Sequence, residues 1–158
     1  MLIKSPFDGL QVSRDLVCEF FGMFSRFEFA LKEEGFLNPK GARVAHDWHR
    51  FGGESARWLS VEPGSDPEGA IAYLNDFPPQ VQTRDQGWQP RGLRGDTTTA
   101  KALDAVRRVR NNLFHGGKHT RHSPEGRDER LIRCGLIVLT ACLEQNDELR
   151  TTFEETVF

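Results

Sequence analysis

"TTTAKALDAVRRVRNNLFHGG", residues 97–117, is the stretch on which the reading of the fold turns. Leu103, Val106, Val109 and Leu113 recur at the three- and four-residue spacing of a single helix face. Thr97 or Thr98 offers an N-cap oxygen, and Gly116-Gly117 ends the period. A helix with one apolar stripe must bury it against other helices or a sheet, so the flanking segments decide which.

Upstream, "SRDLVCEFFGMFSRFEFALKEEGF" from Ser13 to Phe36 carries the same period through Leu16, Phe20, Met23, Phe24, Phe27 and Leu31. Ser13 is the expected N-cap and Gly35 the left-handed C-terminal residue, with Glu28 and Lys32 spaced as a helix ion pair. Phe21 and Phe29 extend the apolar surface, which predicts packing on more than one neighbour, within the fold or across a dimer interface. A second helix is expected over 40–60, with Val44, Trp48, Phe51 and Trp58 inward and Gly52-Gly53 as a kink or break. The proline- and glycine-rich stretch 61–96 reads as an irregular excursion holding one short helix near Pro67–Leu74. Downstream, 125–145 predicts a helix burying Leu131, Ile132, Leu136, Leu139 and Leu143, and a short acidic helix follows. No segment shows clear strand alternation. The expected fold is all-α: about four main helices in an up-and-down bundle, with additional short helices and the long excursion.

At 158 residues the chain is expected to form one domain, 1–158. A net charge of −2 gives no global signature of a polyanion or membrane-surface binder. Three cysteines, Cys18, Cys134 and Cys142, sit among apolar neighbours with no Cys-x-x-Cys spacing, and are read as reduced, buried thiols. The start, "MLIKSPFDGL", breaks before a signal-peptide core forms, and the longest apolar run, "GLIVLTACL", is far short of the ~20 residues that span a bilayer. A soluble, cytoplasmic protein is expected.

Chemistry gathers at 110–115. Asn111 and His115 are one turn apart on a shared face, while Arg110 projects about 140° round from His115 and reaches back through its long side chain. From Arg107 to Arg133 eight Lys/Arg oppose three acids, so this stretch carries +5 and the remainder −7. Such segregation is a local polyanion-binding footprint. Arginine offers a planar fork of donors to phosphate oxygens. Histidine exchanges a proton near neutral pH, and asparagine orients a ring or a ribose hydroxyl. The set suits RNA cleavage by the substrate's own 2′-hydroxyl, which needs proton transfer and charge stabilisation but no protein nucleophile. A helix ending on a cation and glycine also satisfies its own dipole, by ~0.3–1 kcal/mol. A bare Arg-x-x-x-x-His spacing carries no weight in a chain this rich in arginine.

The full string "RNNLFHGGK", after an amphipathic helix in an all-α domain of this size, resembles the HEPN superfamily, whose motif is Arg, a polar residue, a short spacer and His. "FSRFEFALKEEGF" is also similar to the first helix of some bacterial members. Only Arg110, Asn111 and His115 match the motif itself, and 61–96 departs from a minimal four-helix HEPN. The resemblance implies a four-helix bundle that homodimerises with two motifs facing across a shared cleft. It also implies a metal-independent endoribonuclease of the toxin–antitoxin or phage-defence kind, with RNA as substrate, an antitoxin protein as partner and no cofactor. Arg110 would polarise the scissile phosphate, His115 act as general acid/base, and Asn111 position substrate or ring. Arg107, Lys118, Arg121 and Glu28 are further substrate-binding candidates. The alternatives are a non-catalytic HEPN-like module binding RNA or protein, and an interaction protein working through its aromatic first helix.

"HDWH" (His46, His49) and "HTRH" (His119, His122) space histidines for a metal but lack a third ligand at a set distance, so no metal site is expected. "GLRGD" lacks the lysine and preceding strand of a phosphate loop. Trp58, Trp88 and Tyr73 are read as core plugs rather than base-stacking platforms.

Overall fold

Ser13 does cap the first helix: its side chain accepts from the Leu16 amide at 3.3 Å, and α1 runs Arg14–Glu33. At the far end Gly35 adopts φ +81°, its amide donating to Lys32 O while that of Phe36 donates to Leu31 O. This pair of bonds closes a Schellman turn. The computed structural model describes residues 3–114 and 123–155. It contains α1, α2 (Trp48–Trp58), α3 (Asp66–Asp76), the strands β1 (Val81–Thr83) and β2 (Gly87–Gln89), α4 (Thr98–Phe114), α5 (Arg127–Glu144) and α6 (Asp147–Glu154). The chain is mostly helical, and the antiparallel β1–β2 hairpin is the whole of its sheet among the described residues.

α4 lies against α2, α3 and α5, and α5 lies against α1, α3 and α6, so these two helices form the centre. Thr97 caps α4, its hydroxyl accepting from the Ala100 amide at 3.1 Å. The expected stripe is buried at Leu103, Val106 and Val109, with Leu113 partly covered. In α5 Leu131, Ile132, Leu139 and Leu143 are buried as expected, and Leu136 is partly so. Gly135 permits a close crossing with α1: a Cβ there would stand 3.1 Å from Phe20. α1 does serve several neighbours. It packs on α5 and α6, and reaches α2 through Phe24 and Phe27, which stack on Trp48 at 5.1 and 5.6 Å between centroids.

Four expectations are corrected. The second helix begins at Trp48, not near residue 40, because Leu37 and His46 form a β-bridge and Asp47 caps the helix at the Arg50 amide. Val44, left outside the helix, is 66% exposed. Gly52-Gly53 does not split α2, which runs unbroken through both; Gly52 lets it approach Ala100 of α4. The stretch 61–96 is not merely irregular. It holds the hairpin, and α3 buries Ala70, Ile71 and Leu74 between α4 and α5 as a full member of the core. Cys18 is exposed, whereas Cys134 and Cys142 are buried and unpaired thiols. Among the described residues no helix is long and apolar enough to cross a membrane.

Candidate functional site

The last two turns of α4 present different faces to different partners. Arg110 points towards α1: its guanidinium lies 4.4 Å from the centre of the Phe114 ring, one turn on, and 5.6 Å from that of Phe24. Phe114 in turn meets Phe21 at 4.2 Å. The guanidinium is thus held by ring faces, a geometry that leaves its in-plane N–H groups as donors. One of them, on Nη1, donates to Asn111 Oδ1 at 3.0 Å. Arg110 Nε is buried with no hydrogen-bond partner. Packing, rather than a saturated set of hydrogen bonds, therefore fixes this side chain.

Asn111 belongs to the other face, which looks onto the segment from Phe77 to Gly95. That strap is pinned to the helices by side chains reaching its backbone. Arg127 donates to Pro78 O at 2.9 Å, and Asn112 to Gln80 O at 2.8 Å. Arg108, 8% exposed, donates to Arg91 O at 2.7 Å and Gly92 O at 2.5 Å, and pairs with Asp104 at 3.0 Å. Asp104 also accepts from the Arg94 amide at 3.0 Å. Gly95 closes the strap onto α4 at φ +126°, where a Cβ would fall 2.6 Å from that of Ala100.

The structure therefore brings Arg110 and Asn111 together and places Arg107 one turn back on the strap side. It sets several other cations to structural work. Arg108 and Asp104 neutralise each other, Arg133 pairs with Glu129 at 2.8 Å, and Arg130 lies over Tyr73 at 4.1 Å. Glu28 differs from expectation. Its carboxylate accepts from Trp48 Nε1 at 3.0 Å and faces His46 Nδ1 at 3.6 Å, tying α1 to α2, while Lys32 pairs with Glu33 instead. His115, Lys118 and Arg121 lie outside the described residues, as do His119 and His122. Arg91 and Arg94, which the sequence reading passed over, stand exposed on the strap beside Asn111 and Arg107. Their signal was "RGLRGD" itself: two arginines each followed directly by a glycine, where an open backbone leaves long side chains free.

Among the described residues no group of three His, Cys, Asp or Glu side chains is arranged to hold a metal. His46 is tied to Glu28, and His49 is exposed. Burial pushes the Cys142 thiol up to about 12 and raises that of Cys134, which the nearby Arg130 partly opposes. Neither suits a nucleophile, which needs a lowered value. Trp58 packs on Phe51 at 6.2 Å, as a core plug should. Comparison with protein-family models, curated proteins and solved structures finds no match for the chain.

Proposed function

We propose that this protein is a HEPN-type endoribonuclease that cleaves RNA through attack of a 2′-hydroxyl on the adjacent phosphate. The observation that carries the reading is the Arg110–Asn111 pair at the end of α4, a guanidinium held by Phe24 and Phe114 beside an amide facing a cationic strap. His115 follows Phe114 directly in the sequence. In the reaction the 2′-oxygen forms a bond to phosphorus and the 5′-oxygen leaves. One proton departs from the 2′-hydroxyl and one arrives at the leaving group. His115 serves the proton transfer, and Arg110 stabilises the charge that builds on the phosphorane oxygens. Asn111 orients the arginine. The products are a 2′,3′-cyclic phosphate and a 5′-hydroxyl. Because guanidinium and imidazole provide charge stabilisation and proton transfer, the mechanism asks for no metal ion. By the same resemblance the active form is a homodimer with the motif at its interface, restrained by an antitoxin and acting as a toxin or phage-defence effector in the cytoplasm.

The test is cleavage of total RNA in EDTA by wild type, Arg110→Ala and His115→Ala. Wild type should generate cyclic-phosphate ends, and each variant should be at least about 100-fold slower, the ordinary scale of a lost acid/base group for His115 and of a lost charge-stabilising donor for Arg110. Undiminished cleavage by His115→Ala would remove the histidine from the mechanism. A second reading, a non-catalytic module binding RNA or protein, is favoured by the aromatic packing of Arg110, which equally suits a structural arginine. It predicts binding without turnover and an unchanged affinity in His115→Ala.

A further inference from the structure

Two depressions flank the strap. One, of about 390 Å³, is lined by Trp48, His49, Arg94, Asp104 and Arg107; the other, of about 200 Å³, by Arg91, Arg94, Asp104, Arg107, Asn111 and Asn112 among others. They share Arg94, Asp104 and Arg107, so they form one groove between the strap and α4 that leads to Asn111. Asp104 is the single acid lining these two depressions, while Glu54 and Asp96 line a further one that adjoins the first at His49, Gly95 and Ala100. The Asp104 charge is neutralised by Arg108 at 3.0 Å, with both side chains about nine-tenths buried. Arg91, Arg94 and Arg107 make no ion pair among the described residues, and Arg107 Nε is buried without a hydrogen-bond partner. The groove therefore carries three guanidinium groups without an ion-pair partner among the described residues, in a protein whose net charge is −2.

We infer that this groove is a phosphate-backbone track for single-stranded RNA, in which Arg91 and Arg94 of the strap and Arg107 of α4 hold the strand as it approaches Arg110; this rests on the ribonuclease reading above. Arg107 and Arg110 are three residues apart, a rise of about 4.5 Å along the helix. Guanidinium forks suit phosphate oxygens, and an arginine row without a matched acid reads charge rather than sequence. The strap thus acquires a role: Arg108, Asn112 and Arg127 fix its backbone so that Arg91 and Arg94 project beside α4 from an ordered support.

The test uses the full chain and a fluorescent 2′-O-methyl RNA of about 12 nucleotides, which binds without being cut. Affinity is measured by anisotropy across a salt series for wild type, Arg91→Gln/Arg94→Gln and Arg84→Gln. Both groove side chains are exposed, and their strap hydrogen bonds run through backbone atoms, so the double variant keeps the fold. Losing two contacts should flatten the plot of log K against log salt by about 1.4, at roughly 0.7 per phosphate contact. Arg84→Gln, in the hairpin turn outside the groove, should keep the wild-type slope. A wild-type slope in the double variant overturns the track, as does absence of wild-type binding or an Arg84 effect as large per charge. Cleavage of unmodified RNA is followed in parallel. Binding with the expected slope change but no cleavage would sink the nuclease reading alone, and cleavage with an unchanged slope would sink the track alone.

Discussion

Replacing Arg108 by methionine keeps most of the side chain's volume and removes its charge. The structure says what is then left behind. Asp104, with only 9% of its side chain exposed, loses a partner at 3.0 Å and keeps only the Arg94 amide. Breaking one side of a buried pair usually costs about 3–5 kcal/mol, because the other charge stays behind unpaired. The two strap carbonyls add little, since Arg91 and Gly92 are exposed and water reaches them. We therefore expect a loss of about 3–4 kcal/mol by urea denaturation, or roughly 10 °C in Tm for a chain of this length. Trypsin should also cut faster at Arg84, Arg91 and Arg94 as the strap comes away. Asp104→Leu combined with Arg108→Met should recover about 2 kcal/mol relative to the sum of the single variants, since neither charge is then stranded. If Arg108→Met stays within about 1 kcal/mol of wild type, or the two effects simply add, the pair behaves as an exposed one and the strap is anchored some other way.

Other expectations are narrower. Gly95→Ala meets both a positive φ and a 2.6 Å approach to Ala100, so it should cost more than about 2 kcal/mol in the urea midpoint while Gly87→Ala, in open space, costs less. Glu28→Ala should lose about 1–3 kcal/mol through the stranded Trp48 indole N–H, whereas Glu28→Gln, which can still accept that bond, should retain stability and any RNA cleavage. Cys142 titrates near 12 when folded against an ordinary value of 9.0. Its protonated form is therefore favoured in the fold, with no penalty below pH 9. Stability should fall as pH rises from 9 towards 12, by roughly 1 kcal/mol from this group between pH 9 and pH 10. Cys142→Ala should lose correspondingly less over the same pH step. Native Ellman titration should find Cys18 reactive and the two buried thiols silent.

The parts of this molecule legible in sequence are those whose causes are local. The stripes of α1, α4 and α5 and the caps at Ser13 and Thr97 follow from spacing and from side chains bonding amides three residues on. Cys18 was legible too: two residues from both Leu16 and Phe20, it falls on the opposite side of the helix from either, and its apolar neighbours in sequence were a poor guide. Asp104–Arg108 also stands at helix spacing, so one of the cations assigned to a binding surface was already matched by an acid one turn earlier. The strap could not be read this way. Its strands are three residues long, too short for alternation to register, and what holds it comes from Arg108, Asn112 and Arg127, more than fifteen residues away in sequence. The error over 40–47 has the same origin. Val44, Trp48 and Phe51 have helical spacing, yet the backbone there finds partners across the Leu37–His46 bridge, and Asn38 N donates to Ala45 O at 2.7 Å. Tertiary hydrogen bonds that satisfy the backbone outweigh a weak period. This bears directly on the site. Arg110, Asn111 and the ring of Phe114 came from a local string, but what completes their surroundings, Phe24 of α1 and two arginines on a distant strap, is set by packing. A motif search finds the first and not the second, and under the proposed function it is the second that would decide which polyanion reaches the arginine.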